Sequence, residues 1–217
     1  MEGKAASAMR ILIADDHPVV RQGLRQILTS DEGVEVVGEA RNGDEALEMA
    51  RSMDWDMAIF DFTMPGMSGL DLLAMVKREF PEKPVLIMSM GSEEVHATRV
   101  LRAGGAGYIS KESAPDELAS AVRKVAEGGK YVSPSVAEML AFALAQDSHK
   151  PLHDTLSDRE YRVMWLLASG KQINEIAKEM RLSASTISTY RTRILRKLKL
   201  TNNAELVQYA IKHGLVR

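Results

Sequence analysis

Five residues in the first half of the chain could do chemistry together: the adjacent pair Asp15-Asp16, then Asp61, Ser89 and Lys111. Each stands at or just beyond the end of a short apolar run: Ile11–Ala14, Met57–Phe60, Val85–Met88 and Tyr108-Ile109. One aspartate in such a place is ordinarily solvated or caps a helix, and Asp15-Asp16 ahead of Pro18 has the make-up of an N-cap pair. Three carboxylates gathered at one point need compensation, and an oxygen-only donor set favours Mg2+. A hard cation would neutralise the group and leave one carboxylate free to attack phosphorus. A lysine ammonium and a serine hydroxyl would then meet the phosphoryl oxygens.

These residues can meet only if the apolar runs are neighbouring strands that end at one edge. The first 130 residues do alternate in that way. Five β-rich runs (Ile11–Ala14, Val34–Val37, Met57–Phe60, Val85–Met88, Tyr108-Ile109) are separated by stretches with apolar residues at helical spacing, such as Val20, Leu24, Ile27 and Leu28. Near-continuous apolar strands joined by helices imply a parallel sheet covered on both faces, an α/β fold. Ligands of such sheets bind beyond the carboxyl ends of the strands. Asp61 therefore ends its strand at the ligand edge, and the loop around Pro65, Gly66 and Gly69 keeps the space above it open.

After Gly128-Gly129 the pattern changes. One more helix is expected from Pro134 to Gln146, then a polar linker, Asp147–Pro151, then helices at 158–168, 173–180, 185–198 and 204–212, with Gly170 and Gly214 where C-caps belong. Ile173, Ile176, Ala177 and Met180 form one apolar face. A turn at Arg181-Leu182-Ser183 follows, and Ile187, Tyr190, Ile194, Leu195 and Leu198 form the next face. Helix, tight turn, helix is the helix-turn-helix pattern. The opposite face of its second helix carries Ser185, Ser188, Thr189, Thr192, Arg193 and Arg196, a polar, basic stripe suited to a major groove.

Charge divides at the same place. Residues 1–149 hold 15 Lys+Arg against 24 Asp+Glu, and residues 150–217 hold 13 against 6. An acidic part joined to a small basic part suggests separate tasks, the second on nucleic acid. No cysteine is present, which excludes disulfides, zinc thiolates and thiol nucleophiles and agrees with a cytoplasmic location. The first ten residues have no apolar core of a signal peptide, and the longest apolar run has seven residues, far short of a membrane span. His17, His96, His149, His153 and His213 lack metal-binding spacing, and His17 reads as a surface-loop residue.

Asp15-Asp16, Asp61, Ser89 and Lys111, each at its strand end, resemble the receiver domain of two-component response regulators. The resemblance implies a flavodoxin- and CheY-like five-stranded parallel sheet in the order 2-1-3-4-5. Asp61 would be the phospho-acceptor, charged by a sensor histidine kinase. Mg2+ would be held by Asp16, Asp61 and the backbone carbonyl of Thr63, with Asp15 acting through water. Ser89 and Tyr108 would be the switch pair, and Lys111 would contact the phosphoryl group. Glu112 stands where many members have proline after this lysine.

Leu156–Glu160, Glu175-Ile176-Ala177, Leu182-Ser183, Thr186-Ile187, Lys197-Leu198 and the tail from Glu205 to Leu215 resemble the LuxR-type domain of the NarL/FixJ regulators. Residues 188–194, STYRTRI, resemble the GacA/UvrY branch. This implies an all-α, four-helix DNA-binding domain, with Arg191 and Lys197 joining the stripe above in contacting promoter DNA. The last helix would form a homodimer in the active state through Glu205, Leu206, Gln208, Tyr209 and Lys212. The expected boundaries are 9–130 for the receiver, 131–154 for the linker and 155–217 for the DNA-binding domain. The expected function is a transcriptional regulator and not an enzyme. A Mg2+-dependent phosphohydrolase would need a carboxylic acid beside Asp61, and residue 63 is Thr.

Overall fold

The computed structural model describes residues 8–30, 33–90, 93–112, 115–145 and 151–216. Of the expected polar stretch Asp147–Pro151, only Pro151 lies within them. The chain forms two compact units, residues 1–137 and 138–217.

In the first unit, strands β1 (Met9–Ala14), β2 (Val34–Ala40), β3 (Met57–Asp61), β4 (Val85–Ser89) and β5 (Gly107–Ser110) alternate with helices α1 (Pro18–Leu28), α2 (Gly43–Ser52), α3 (Gly69–Glu79), α4 (Glu93–Arg102) and α5 (Pro115–Ala126). All pairings are parallel, in the order β2-β1-β3-β4-β5. The expected sheet is thus the observed one. Every residue of β3 and β4 is buried, as a strand covered on both faces requires. On one face Ile11, Ile13, Met57, Ile59, Leu86, Met88 and Ile109 pack with Leu24 and Leu28 of α1 and Leu118, Ala121, Val122 and Val125 of α5. The alternate residues Leu12, Ala58, Phe60, Val85, Ile87 and Tyr108 are buried on the other.

A helix α6 spans Pro134–Ala145. The second unit then holds a short 3-10 turn, Leu152–Thr155, and helices α7 (Asp158–Ala168), α8 (Ile173–Glu179), α9 (Ala184–Leu198) and α10 (Asn203–Lys212). Their starts follow from capping chemistry. Ser157 and Glu160 form a capping box, and the Ser183 hydroxyl accepts the Thr186 N–H at 3.1 Å. Asn202 accepts the Glu205 N–H at 3.0 Å. Gly170 and Gly214, at φ 87° and 65°, close α7 and α10 as expected. The turn between α8 and α9 places Arg181 at φ 54°, a conformation that L side chains rarely adopt.

Candidate functional site: an acidic pocket and a recognition helix

The parallel register brings Asp61 level with Met88, and Ser89 level with Ser110, so the strand ends reach one edge together. Two bonds hold the loop after β3 there. Phe62 N–H donates to the Met88 carbonyl at 2.7 Å, and Gly69 N–H donates to the Phe62 carbonyl at 3.0 Å. Gly69 is required by proximity, because a Cβ at this position would lie 2.0 Å from the Asp61 carbonyl oxygen. Lys111 N–H donates to the Ser89 carbonyl at 2.9 Å, fixing the lysine just past β5.

Lys111 reaches back across the edge. Its Nζ lies 2.7 Å from Asp15 Oδ2 and 2.9 Å from Asp61 Oδ1, and all three side chains are buried. Burial pushes the Asp61 carboxyl up; Lys111 opposes this, the Asp15 charge adds to it, and the result is about 6. The Thr63 N–H also donates to this carboxylate. Burial alone would lower the Lys111 ammonium, but the Asp61 charge and the hydrogen bonds to both carboxylates outweigh it and raise it.

Asp15, Asp16, His17 and Asp61 offer ligand atoms that all lie within 4.8 Å of one another. Oδ1 of Asp16 is buried without a hydrogen-bond partner. Three carboxylates, one with a buried oxygen that makes no hydrogen bond, are a donor set suited to a hard divalent cation. The structure therefore gathers Asp15, Asp16, Asp61 and Lys111 as the spacing implied, with Ser89 buried at the next strand end. Neither aspartate of the pair is the N-cap of α1. That position is His17, whose side chain makes no capping bond.

Tyr108 is fully buried on β5, and its ring lies 6.2 Å from that of His96 on α4. His96 in turn lies 4.2 Å from the ring of Phe62, next to Asp61. Burial, followed by the nearby Arg99, lowers the His96 imidazole to about 4, so it is neutral. In the sequence His96 is one of five scattered histidines. The signal was its helical spacing with Ala97 and Val100, which share the buried face of α4.

In the second unit α8 and α9 pack as the helix pair, with Ile176, Ile187, Ile194, Leu195 and Leu198 buried. Ser185, Ser188, Thr189, Thr192, Arg193 and Arg196 are all exposed on α9. Thr189 and Thr192 donate their hydroxyls to the carbonyls of Ser185 and Ser188 at 3.0 and 3.1 Å. Lone pairs on the two oxygens then face outward as acceptors.

Known proteins share both units. Residues 11–123 match the response regulator receiver domain, and residues 154–210 match the luxR family of bacterial regulatory proteins. The chain is a response regulator with a LuxR-type DNA-binding domain. It is 35% identical to the response regulator GacA of Pseudomonas aeruginosa over 96% of this chain and 98% of that protein. It is 34% identical to the response regulator UvrY of Escherichia coli over 95% of each. A structure of the RcsB response regulator of Salmonella typhimurium matches with a TM-score of 0.75 and 30% identity, covering 96% of this chain and 99% of that one. RcsB bound to promoter rprA in the presence of phosphomimetic BeF3- matches at 0.69 and 30% identity, over 94% and 98%.

Several residues expected at the regulator's interfaces are engaged inside its second unit. Lys197 Nζ lies 2.6 Å from Glu160 Oε2, on a carboxylate whose side chain is almost fully buried. Arg191 donates to Asn203 Oδ1 at 2.6 Å. Glu205 accepts from the Thr201 N–H at 2.7 Å and caps α10. Leu206 is wholly buried, which makes it a core residue rather than a partner contact. Tyr209 is half-buried, its hydroxyl 3.0 Å from His153 Nδ1, while Gln208 and Lys212 are exposed. Among the described residues no helix is long and apolar enough to cross a membrane.

Proposed function

We propose that this regulator accepts a phosphoryl group on Asp61 from a sensor histidine kinase, and that the modified chain binds promoter DNA as a homodimer to control transcription in the cytoplasm. The observation that carries the reading is the buried ion triad, Lys111 between Asp15 and Asp61 at 2.7 and 2.9 Å, beside an Asp16 oxygen that makes no hydrogen bond. An Asp61 oxygen attacks phosphorus, the P–N bond of the phosphohistidine breaks, and its electron pair returns to the imidazole. Asp16, Asp61 and the Thr63 carbonyl would hold Mg2+, with Asp15 acting through water. The ion supplies charge neutralisation for the incoming phosphoryl group. Lys111, already 2.9 Å from Asp61, pairs with a phosphoryl oxygen, and Ser89 hydrogen-bonds to another.

The added charge, roughly −1.5 to −2, draws the loops after β4 and β5 inward. Tyr108 is the other half of the switch, and its burial beside His96 of α4 supports a role through packing. The LuxR-type unit reads DNA with Ser185, Ser188, Thr189 and Thr192 toward base edges, and with Arg193 and Arg196 toward phosphates. Arg191 and Lys197 act at the margin of this surface. Residues Glu205, Gln208, Tyr209 and Lys212 of α10 form the dimer contact. The RcsB complexes with promoter DNA support DNA binding by a chain of the same family. Functional boundaries at 9–130, 131–154 and 155–217 accompany it. The regulator turns over no external substrate.

The test is intact mass after incubation with Mg2+ and a small acyl-phosphate donor. One phosphoryl mass is expected on the wild type and none on Asp61→Asn. Equal labelling of both would overturn the assignment of Asp61.

A further inference from the structure

Position 17 is the N-cap of α1, where Ser, Thr, Asp or Asn would satisfy free helix N–H groups. His17 makes no such bond, and its side chain is 67% exposed, so neither the helix nor the core accounts for an imidazole there. What the position does provide is nearness to the acidic pocket. The His17 backbone N–H donates to Asp15 Oδ1 at 2.8 Å, which folds the residue back over the pair. Nδ1 then stands 2.9 Å from Asp16 Oδ1 and 3.3 Å from Asp15 Oδ1. The nearer contact is close in distance yet not aligned as a hydrogen bond, since Asp16 Oδ1 has no hydrogen-bond partner. Nitrogen and oxygen stand side by side at ion-pair distance, as two ligands of one ion would.

Geometry shows what that body could be. Ligand atoms of Asp15, Asp16, His17 and Asp61 all fall within 4.8 Å of one another. Two ligands on opposite sides of a small divalent ion stand about 4.2 Å apart, given bonds of about 2.1 Å. Separations of at most 4.8 Å are close to that span, so Asp16, His17 and Asp61 can share one ion while Asp15 acts through water.

We propose that His17 supplies an imidazole nitrogen to the cation held by Asp16 and Asp61. This makes the donor set mixed nitrogen and oxygen and raises the preference of the site for transition-metal cations over Mg2+. The inference rests on the reading of this pocket as the cation site of the receiver. The chemistry follows from ligand softness: carboxylate, carbonyl and water suit Mg2+, whereas imidazole adds affinity along the series from Mn2+ to Cu2+. Replacing the imidazole leaves the carboxylates in place, so the loss falls on the transition metals.

The experiment uses the full-length protein with Mn2+ as the probe. Electron spin-echo modulation of the bound ion is expected to show coupling to a directly bound 14N in the wild type. The coupling should be absent in His17→Ala and replaced by the 15N pattern when histidine is 15N-labelled. Calorimetric titration should show the Co2+ over Mg2+ affinity ratio falling about tenfold in His17→Ala, the scale on which metal-site partners act. Bound Mn2+ without nitrogen coupling, coupling that persists in His17→Ala, or an unchanged ratio would overturn the role of His17 alone. Failure of the wild type to bind Mn2+, or binding untouched by Asp61→Asn, would overturn the cation-site reading and this inference with it.

Discussion

Gly69→Ala probes the placement of the acceptor aspartate without touching a charged group. The added methyl would lie 2.0 Å from the Asp61 carbonyl oxygen, 2.8 Å from its carbon and 3.0 Å from Phe62 Cα. Ordinary contact begins near 3.4 Å, so the start of α3 and the end of β3 must separate by more than 1 Å. Neither side can yield cheaply. Asp61 is in the fully buried β3, and Leu70, Leu72 and Leu73 of α3 are buried as well. Overpacking against backbone on this scale costs about 3 kcal/mol. The receiver transition should then fall by roughly 10 °C in a calorimetric scan. A displacement of ~1 Å at a reacting group costs on the order of 100-fold in rate, so phosphorylation by an acyl-phosphate donor should slow by that factor. Gly128→Ala is the control: at φ +84° with nothing within 4 Å it pays only left-handed strain, about 1 kcal/mol, and should phosphorylate normally. A Gly69→Ala protein that melts and phosphorylates like the wild type would refute the claim that this loop rests on the Asp61 backbone.

Two buried groups give opposed pH responses in metal-free protein. Asp61, pushed up to about 6, favours the folded state when protonated, so its contribution is full below pH ~4 and disappears as pH rises through 6. His96, lowered to about 4, favours the folded state when neutral, so its contribution is present above pH ~6.5 and lost as pH falls toward 4. Each is worth on the order of 3 kcal/mol, and in the wild type they offset. Urea melts of Asp61→Asn should lose stability from pH 6.5 to 4.5, while His96→Phe should gain it; the same slope in both would refute the pairing. Lys111→Met should cost about 3–5 kcal/mol in EDTA, because it strands two buried carboxylates, with partial recovery in Mg2+. Stability within 1 kcal/mol of wild type would exclude the ion triad. Lys197→Met should lower the melting transition of the second unit by leaving Glu160 without its cation, at about 1–3 kcal/mol. Arg193→Ala, which alters an exposed residue, should leave that transition alone and reduce the salt slope of DNA binding by about 0.9, the value of one phosphate contact.

The receiver pocket was legible in the sequence because its residues sit at strand ends. Parallel strands with apolar interiors end at a common edge whatever their loops do, so spacing sufficed to bring Asp15, Asp61, Ser89 and Lys111 to one edge, while the strand order came from the family resemblance. The exposed polar stripe of α9 was legible because helical periodicity separates Ile187, Ile194 and Leu198 from Ser185, Ser188 and Arg193. Less visible were contacts that depend on how elements meet. Lys197 reads as one more basic residue of α9, yet it faces a carboxylate 37 residues earlier. Leu206 reads as part of a tail, yet it closes the core. His96 is polar by type but buried by position, and only the packing of α4 against β5 shows it between Phe62 and Tyr108. The close approach of Gly69 to Asp61 depends on backbone proximity that no residue type announces.

The central claim is that a modification at Asp61 governs what the LuxR-type unit does. Its most direct test is DNA affinity and association state of the full chain, measured together before and after treatment with Mg2+ and an acyl-phosphate donor, for wild type and Asp61→Asn. The account expects the wild type to shift toward a dimer and bind promoter DNA more tightly after treatment, and Asp61→Asn to do neither. A phosphorylated wild type with unchanged association state and unchanged affinity, or an Asp61→Asn protein that shifts as far as the wild type, would contradict it.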